Sequence, residues 1–376
     1  MTGAVRHLYV HLPFCAHRCG YCDFVTVVGR GGEHRSYVGA LLAELELERS
    51  LLAAEVETVF VGGGTPTLTE AAELRRLLEA LPSAGEVTVE ANPETVTPEV
   101  ARLLRESGVN RVSLGAQTFQ AELLQVLERR AAPWDVRRAF YHLRDAGFDN
   151  ISLDLIYGIP GQAAADLEAD IDEALALGPE HLSCYELEAK PGTRFTHRHG
   201  EELVRQSDAL EGYFERVVGK LTEAGYRWYE TANFCLPAER EGGRDLRAHH
   251  NLAYWLGRDY LGVGIGAVST VAGRRWQNTP RLPLYVASSG RGEPPPRDLE
   301  ELSTDVRRRE RVMLGLRLDE PLTLAGVSGV LDGDALTRLE ALDLVIRDRG
   351  GPSGDALTLT PRGRLLGGGV TAELLA

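Results

Sequence analysis

The chain has 376 residues and a formal net charge of −14, and its length accommodates two or three domains. Its content of 43% hydrophobic and 26% charged residues is that of a globular protein, which excludes the disordered, collagen-like and coiled-coil classes. The acidic excess repels phosphate backbones, so we expect no nucleic-acid partner.

Two features of the sequence bear on its cellular location. The first 30 residues lack the positively charged segment and following apolar run of a signal peptide. No later stretch is nearly as long as a membrane span, which needs about 18 consecutive apolar residues. The five cysteines are too few and too clustered for a secreted disulfide framework. We therefore expect a cytoplasmic protein that is not integral to the membrane.

Predicted strands and helices alternate over the first 215 residues. The predicted strands are 7–12, 58–61, 86–90, 111–115, 151–158 and 182–188. The predicted helices run from Tyr37 to Leu52, Ala71 to Leu81, Pro98 to Ser107, Asp135 to Ala146 and Asp166 to Leu177. Such units imply parallel strands joined by right-handed crossovers. The sequence predicts an α/β fold, either a partial (βα)6 barrel or, almost as well, an open doubly wound sheet.

The segment after the first predicted strand carries Cys15, Cys19 and Cys22 in a CxxxCxxC spacing. A closed structural zinc site needs a fourth ligand nearby, and the other cysteines, Cys184 and Cys235, are remote in the sequence. Three cysteines on a four-iron cluster leave one iron open to bind something else. The spacing favours an iron–sulfur cluster, with a zinc-binding structural module as the alternative.

Further candidate residues lie at the carboxyl ends of the predicted strands, the edge where barrel sites are built. Gly62, Gly63, Gly64 and Thr65 follow the second strand, and consecutive glycines let the backbone approach a zwitterionic ligand closely. The same position singles out Glu90, Gln117 and Asp154.

Two of the candidates have a plain structural alternative. A charge inside a parallel strand is costly unless it is paired, so Asp154 either faces a ligand or caps a neighbouring loop. Arg129, expected on the helix after the fourth strand, either meets a carboxylate or is a solvated helix arginine.

The pattern changes after residue 215. A helix from Asp208 to Ala224 precedes aromatic segments, and a Pro/Gly/Arg-rich stretch at 290–298 predicts a linker. Beyond it, a helix from Val306 to Leu316, a helical run at 332–342 and two strand-like segments predict a winged-helix-like module. With little clustered positive charge expected there, packing or dimerisation is favoured over DNA binding. The predicted divisions are 1–215, 216–295 and 300–376.

The cysteine spacing, with an aromatic residue before the last cysteine, resembles the radical S-adenosylmethionine (SAM) superfamily, whose fold is a partial (βα)6 barrel. The segments YVHLPFC, VGGGTPTL, VTVEANPETV, GVNRVSLGAQTF and NISLDLIYGIPGQ resemble its coproporphyrinogen III oxidase-like branch. This resemblance implies a 4Fe-4S cluster whose open iron chelates S-adenosylmethionine. It implies contacts to S-adenosylmethionine from Tyr9, Gly63, Gly64, Thr65, Glu90, Gln117, Arg129 and Asp154.

Within that branch, the oxygen-independent coproporphyrinogen oxidases have a further cysteine and an N-terminal arm, whereas this chain has Phe24 and only eight residues before Tyr9. In both respects the sequence resembles the HemW-type haem chaperones. These share an HNxxYW motif, present here as His250, Asn251, Tyr254 and Trp255. The resemblance implies haem as a bound partner and His250 as its iron ligand. His249 is a competing ligand, and a hydrogen-bonded core histidine is the structural alternative.

The resemblance to the haem chaperones also implies partners. These are haem-accepting respiratory apo-proteins and an electron donor for the cluster, and a homodimer is left open. The alternative function within the branch is oxidative decarboxylation of coproporphyrinogen, so the sequence does not decide whether the protein is an enzyme.

Overall fold

The computed structural model describes residues 4–191, 193–351 and 354–375, so the predicted domain limits at residues 1 and 376 lie outside the described residues. The strands are β1 (His7–Leu12), β2 (Phe14–Cys15), β3 (Val27–Val28), β4 (Val56–Gly63), β5 (Ala84–Ala91), β6 (Arg111–Gln117), β7 (Ile151–Tyr157), β8 (His181–Glu186), β9 (Arg227–Glu230), β10 (Asn233–Cys235), β11 (Leu261–Val263), β12 (Val268–Val271), β13 (Arg274–Asn278), β14 (Arg297–Glu301), β15 (Leu322–Thr323), β16 (Val345–Gly351) and β17 (Gly354–Leu359). The helices are α1 (His34–Glu48), α2 (Ala71–Ala80), α3 (Pro98–Glu106), α4 (Ala121–Val126), α5 (Pro133–Asp145), α6 (Ala164–Leu177), α7 (Arg194–Gln206), α8 (Leu210–Glu223), α9 (His249–Trp255), α10 (Leu282–Gly290), α11 (Thr304–Gly315), α12 (Gly333–Ala341), α13 (Pro361–Leu365) and α14 (Gly367–Leu374).

The described residues form a central sheet of nine strands in the order β11-β1-β4-β5-β6-β7-β8-β10-β9. Strand β1 pairs in parallel with β4, and from β4 to β8 each strand pairs in parallel with the next strand along the chain. Right-handed crossovers between sequential strands place the connecting helices on one face of the sheet. The fold is therefore the predicted partial barrel, and not the doubly wound sheet, whose strand order reverses at a switch point.

The two faces of the parallel strands differ in polarity. Side chains alternate between faces along a strand, and the apolar set, with Leu8, Val61 and Leu153 among its members, packs with the helices in the main core. The opposite set includes Tyr9 and Asp154, each one residue away from a core position. A parallel sheet covered by helices on both faces would instead be apolar on both. The polar face lines the inside of the partial barrel.

The helices begin and end close to their predicted limits. Thr97 accepts a hydrogen bond from the Val100 backbone N–H at 3.3 Å, as expected of the residue that caps α3. Gly108 and Gly147 follow α3 and α5 with φ of +86° and +87°, which suits glycine at helix ends. Helix α7 was not among the predicted helices, because its sequence is mostly polar and buries only Phe195.

Segments beyond residue 215 complete the central sheet. Strand β10 pairs with β8, and β11 pairs with β1 at the opposite edge. Strands from both sides of the boundary predicted at residue 215 therefore belong to one continuous sheet. The predicted linker at 290–298 is wrong at its C-terminal end, because Arg297 begins β14, which pairs with β13. Arg297 also lies over the Trp276 ring at 5.2 Å and donates to Glu48 at 2.7 Å.

The C-terminal residues form a module with its own apolar core. Helices α11 and α12 precede the β16–β17 hairpin, and β15 pairs with β17, in the order expected of a winged-helix-like unit. The expectation of little clustered positive charge is wrong, because α11 carries Arg307, Arg308, Arg309 and Arg311. Among the helices that the structure describes, none combines the length and the apolar character needed to cross a bilayer.

Candidate cluster and cofactor site

The three clustered cysteines lie in the segment that joins β1 to α1. Cys15, Cys19 and Cys22 are half-buried and free of disulfides, and the Cys22 backbone N–H donates to the Cys19 carbonyl oxygen at 3.2 Å. In the described residues, no three His, Cys, Asp or Glu side chains surround a point that would hold a single metal ion. Three free thiols on one loop are a donor set that suits a multi-iron cluster, in which each thiolate binds a different iron.

A chain of hydrogen bonds connects two of these thiols through the strand ends. Thr65 Oγ1 donates to Cys15 Sγ at 3.6 Å and accepts from Asn92 Nδ2 at 2.8 Å. Asn92 Oδ1 accepts from Arg129 Nη2 at 2.9 Å, and Arg129 Nη1 donates to Cys19 Sγ at 3.8 Å. Donors aimed at sulfur stabilise thiolate charge and influence cluster potential. Asn92 was absent from the predicted site residues, although its position after β5 is the signal that could have found it.

Arg129 lies beyond the helix on which it was expected. Helix α4 ends at Val126, and Glu128 has a φ of +57°, which turns the chain out of the helix. The guanidinium of Arg129 also donates to the Gly115 carbonyl oxygen at 2.9 Å. These contacts are not those of a solvated helix arginine, because the guanidinium is fixed between the cluster loop and two strand ends.

The glycine run after β4 packs against the start of the cluster loop. The Gly64 N–H donates to the Leu12 carbonyl oxygen at 2.7 Å, and the Thr65 N–H donates to the Phe14 carbonyl oxygen at 2.8 Å. A Cβ added at Gly64 would lie 2.6 Å from the Pro13 carbonyl group, closer than any side chain tolerates. The glycine is thus required for backbone approach, and these N–H groups are engaged within the protein rather than open to a ligand.

Two carboxylates face the inside of the partial barrel. Glu90 accepts from the Gly63 N–H at 2.9 Å, and burial, together with the nearby charge of Asp154, raises the pKa of Glu90 to about 7. Asp154 accepts from Ser113 at 2.9 Å and from Ser152 at 3.2 Å, and burial raises its pKa as well. Asp154 is therefore held by Ser152 of its own strand and by Ser113 of the neighbouring β6, and does not cap a loop.

The remaining predicted contacts to S-adenosylmethionine lie on two other strands of the same sheet, β6 and β1. Gln117, at the end of β6, has a φ of +66° and lies at an irregularity in the pairing of β6 with β7. A non-glycine residue in this region of φ is costly and is typical of functional sites. Tyr9 on β1 shares a hydrogen bond with His11 Nδ1 at 3.0 Å and stacks on Phe60.

The two adjacent histidines of α9 lie in different environments. His250 is 1% exposed, with Nδ1 hydrogen-bonded to Thr58 Oγ1 at 2.8 Å and Nε2 to Tyr254 Oη at 2.9 Å. Burial lowers the pKa of His250 to about 3. This is the geometry of a hydrogen-bonded core histidine, and iron ligation through Nε2 requires the Tyr254 hydroxyl to move away. His249 is part-exposed, with Nε2 3.4 Å from Asp245 Oδ2.

Glu86 is a buried residue that positions this helix and was not predicted to do so. Its carboxylate accepts from the backbone N–H groups of His249 and His250, each at 3.1 Å, at the N-terminus of α9. A carboxylate at this position satisfies helix donors that have no intrahelical acceptor. The sequence showed only a charged residue near the start of a strand, so the contact across the sheet could not be inferred.

Comparisons with known proteins show likeness over the whole chain. The sequence profile of the radical SAM superfamily matches residues 9–174. The heme chaperone HemW of Mycobacterium tuberculosis (strain H37Rv) is 37% identical, with 100% of this chain and 96% of the relative covered. The HemW of Bacillus subtilis is 34% identical, with 99% of both chains covered.

A solved structure extends the likeness to three dimensions. The structure of coproporphyrinogen III oxidase (HemN) from Escherichia coli aligns with a TM-score of 0.80 and 25% identity, and it covers 100% of this chain and 91% of its own. The similarity therefore includes the segments beyond residue 215 and the C-terminal module, as well as the barrel.

Proposed function

Because the chain belongs to the HemW family within the radical SAM superfamily, we propose that it binds haem and delivers it to respiratory apo-proteins. The observation that carries this function is a sequence identity of 37% and 34%, over nearly the full length, to relatives described as haem chaperones. The residue that replaces the further cysteine of the oxidases agrees with it: Phe24 is 61% exposed and can neither ligate a metal nor transfer a proton.

Cys15, Cys19 and Cys22 would hold a 4Fe-4S cluster, and the charged side chains beside the cluster loop would hold S-adenosylmethionine. When bound, this pair of cofactors supplies one-electron chemistry. The protein orients the cysteine ligands and influences their charge. Thr65 and Arg129 donate to the sulfurs of Cys15 and Cys19, which fixes the loop and favours the thiolate form.

The charges around the cluster loop complement the zwitterionic end of S-adenosylmethionine. Glu90 and Asp154 offer carboxylates toward an ammonium group from inside the barrel, and Arg129 offers a cation toward a carboxylate beside Cys19. Opposite charges on two sides of one ligand fix its orientation as well as its affinity. Tyr9 and Gln117, on β1 and β6 of the same sheet, complete the contacts that we propose.

The proposal includes a cytoplasmic location and an electron donor that reduces the cluster. The C-terminal module is the part that we assign to packing against another protein, whether a second copy or a haem acceptor.

The alternative function is coproporphyrinogen oxidation; the HemN structure shares the fold with a TM-score of 0.80, but the full-length relatives at 34–37% identity are described as haem chaperones and do not favour it. Haem titration of anaerobically reconstituted protein, run beside a coproporphyrinogen turnover assay, separates the two. We expect stoichiometric haem binding, seen as a shifted Soret band, and no protoporphyrinogen. Iron, sulfide and zinc analysis of the same sample tests the cluster, and stoichiometric zinc without sulfide would contradict it.

A further inference from the structure

A groove of about 740 Å³ lies between α9 and the C-terminal module. Its walls are α9, strands β12 and β13, helix α11 and the loop at 325–327. This volume falls in the range of about 300–1,000 Å³ that is typical of cofactor and small-molecule sites. The groove is distinct from the cluster cleft, which Cys19, Thr65, Asn92 and Arg129 line.

The groove is basic in a chain that is acidic overall. Among the described residues that line it are five arginines, two carboxylates and no lysine, whereas the whole chain has a net charge of −14. Three of the arginines are neutralised locally: Arg275 pairs with Glu310 at 2.7 Å, Arg258 with Glu57 at 3.0 Å, and Arg308 with Asp305 at 3.5 Å.

The other two, Arg307 and Arg311, have no carboxylate within 4.0 Å among the described residues. Arg307 extends across the groove, where its Nη1 would lie 3.4 Å from a Cβ added at Gly273. Arg311 is half-buried, its one hydrogen bond among the described residues goes to the Trp255 carbonyl oxygen at 3.5 Å, and burial lowers its pKa. Two guanidiniums without carboxylate partners in one groove suit a ligand that carries two carboxylates.

Aromatic and apolar side chains also line the groove, on both of its sides. Tyr254 and Tyr260 meet edge to face with ring centroids 4.5 Å apart, and Met313 and Leu314 lie opposite on α11. A flat apolar ligand can lie against such a wall while its charged end remains at the arginines.

We propose that this groove docks haem, with the two propionates on Arg307 and Arg311 and the macrocycle against Tyr254 and Tyr260. The assignment rests on the proposed haem-chaperone function and adds where the cargo binds. It is separate from iron ligation by His250, which lies behind Tyr254.

The same tyrosines connect the groove to the cluster side of the protein. Tyr254 and Tyr260 also line a second cavity of about 270 Å³, whose other walls include Tyr9 and Phe24. Tyr254 hydrogen-bonds His250 Nε2 from this position. Iron ligation by His250 Nε2 requires the Tyr254 hydroxyl to leave that nitrogen, so docking by the propionates does not itself depend on His250.

The test compares haem with haem dimethyl ester, whose propionates are uncharged. Wild-type full-length reconstituted protein should bind haem about tenfold more tightly than the ester, the low end of the effect of charge-assisted hydrogen bonds. Arg307→Gln/Arg311→Gln should weaken haem binding about tenfold and leave ester binding unchanged, which abolishes the preference. The matched control is Arg309→Gln, on the same helix but outside the groove lining, which should keep the wild-type preference.

Arg307 is exposed, so Arg307→Gln alone keeps the test valid if the double variant fails to fold, and it should lose about half of the preference on a logarithmic scale. Equal binding of haem and ester by the wild type, or an undiminished preference in folded Arg307→Gln or in the double variant, would overturn the groove assignment while leaving the chaperone function intact. A wild-type protein that binds neither porphyrin overturns the chaperone function itself, and the groove assignment with it.

Discussion

At the scale of single residues, the cluster loop is connected to the barrel by side chains that donate to sulfur. Thr65 and Arg129 each contact one cysteine, and Asn92 joins them. Partners of this kind orient metal ligands, and their loss typically reduces metal affinity or activity about 10–100-fold. The proposed cluster site thus includes more residues than the three cysteines that the spacing predicts.

We expect Cys15→Ala, Cys19→Ala and Cys22→Ala each to abolish stable cluster assembly, because each removes one of only three protein ligands. Iron and sulfide content after anaerobic reconstitution measures this. Cys184→Ala and Cys235→Ala are the matched controls, since both thiols are buried in apolar cores, and they should retain full iron content. Loss of iron from a folded Cys184 or Cys235 variant would refute the ligand assignment.

Asn92→Leu should interrupt the hydrogen-bond chain between Cys15 and Cys19 without removing a ligand. We expect the cluster to assemble but to lose iron to a chelator about 10–100-fold more readily than the wild type. Gln125→Leu, exposed on α4, likewise replaces a side-chain amide by leucine but lies away from the site. Equal chelator resistance of wild type and Asn92→Leu would show that the chain has no part in holding the cluster.

Glu90 should make S-adenosylmethionine binding depend on pH. Its pKa is raised to about 7, so in the free protein the carboxylate form predominates above that pH and the neutral acid below it. Affinity for the ammonium group should fall as the pH decreases below about 7, by at most about tenfold per pH unit. Glu90→Gln should remove this dependence and, at pH 8, weaken binding about 10–100-fold. Calorimetry on cluster-replete protein tests this, and parallel pH profiles for both proteins would contradict it.

At the scale of elements, α9 is fixed to the sheet from both strands beneath it. Glu86 of β5 accepts from the first N–H groups of the helix, and Thr58 of β4 hydrogen-bonds His250. These contacts place Tyr254 and Trp255 on the wall of the groove. The position of the HNxxYW segment thus depends on buried polar groups as well as on apolar packing.

Glu86→Ala should reduce the free energy of unfolding by about 2 kcal/mol, because two helix N–H groups lose their acceptor in a buried position. Urea denaturation of the cluster-free protein measures this. Glu55→Ala, at an exposed carboxylate beside β4, should change stability by less than about 0.5 kcal/mol. An equal, small effect of both changes would mean that α9 is held by packing alone.

At the scale of the whole molecule, the fold followed largely from the sequence. The alternating strand and helix segments, Thr97 and the glycines after α3 and α5 are local signals, and each element that they predict is present. The unresolved choice was between barrel and doubly wound sheet, because local periodicity does not report strand order. The sequential order of the parallel strands resolves it.

The parts of the site that escaped prediction depend on contacts between residues distant in the chain. Asn92 joins Thr65 to Arg129, and Glu86 reaches a helix more than 160 positions away. The burial of His250 likewise depends on packing between α9 and β4 that a motif does not encode. Spacing identified the cysteines because all three lie in one loop, where sequence distance and spatial distance agree.

Transfer of haem to an acceptor protein distinguishes a haem chaperone from an oxidase. Full-length, cluster-replete protein is loaded with haem, freed of excess by gel filtration, and mixed anaerobically with an apo-cytochrome, while the Soret bands of donor and acceptor are followed. We expect the donor band to decline as the acceptor band rises in equal amount, and coproporphyrinogen supplied with S-adenosylmethionine and reductant to remain unconverted. Retention of haem by the donor, together with repeated turnover of coproporphyrinogen to protoporphyrinogen, would contradict the chaperone function and establish an oxidase instead.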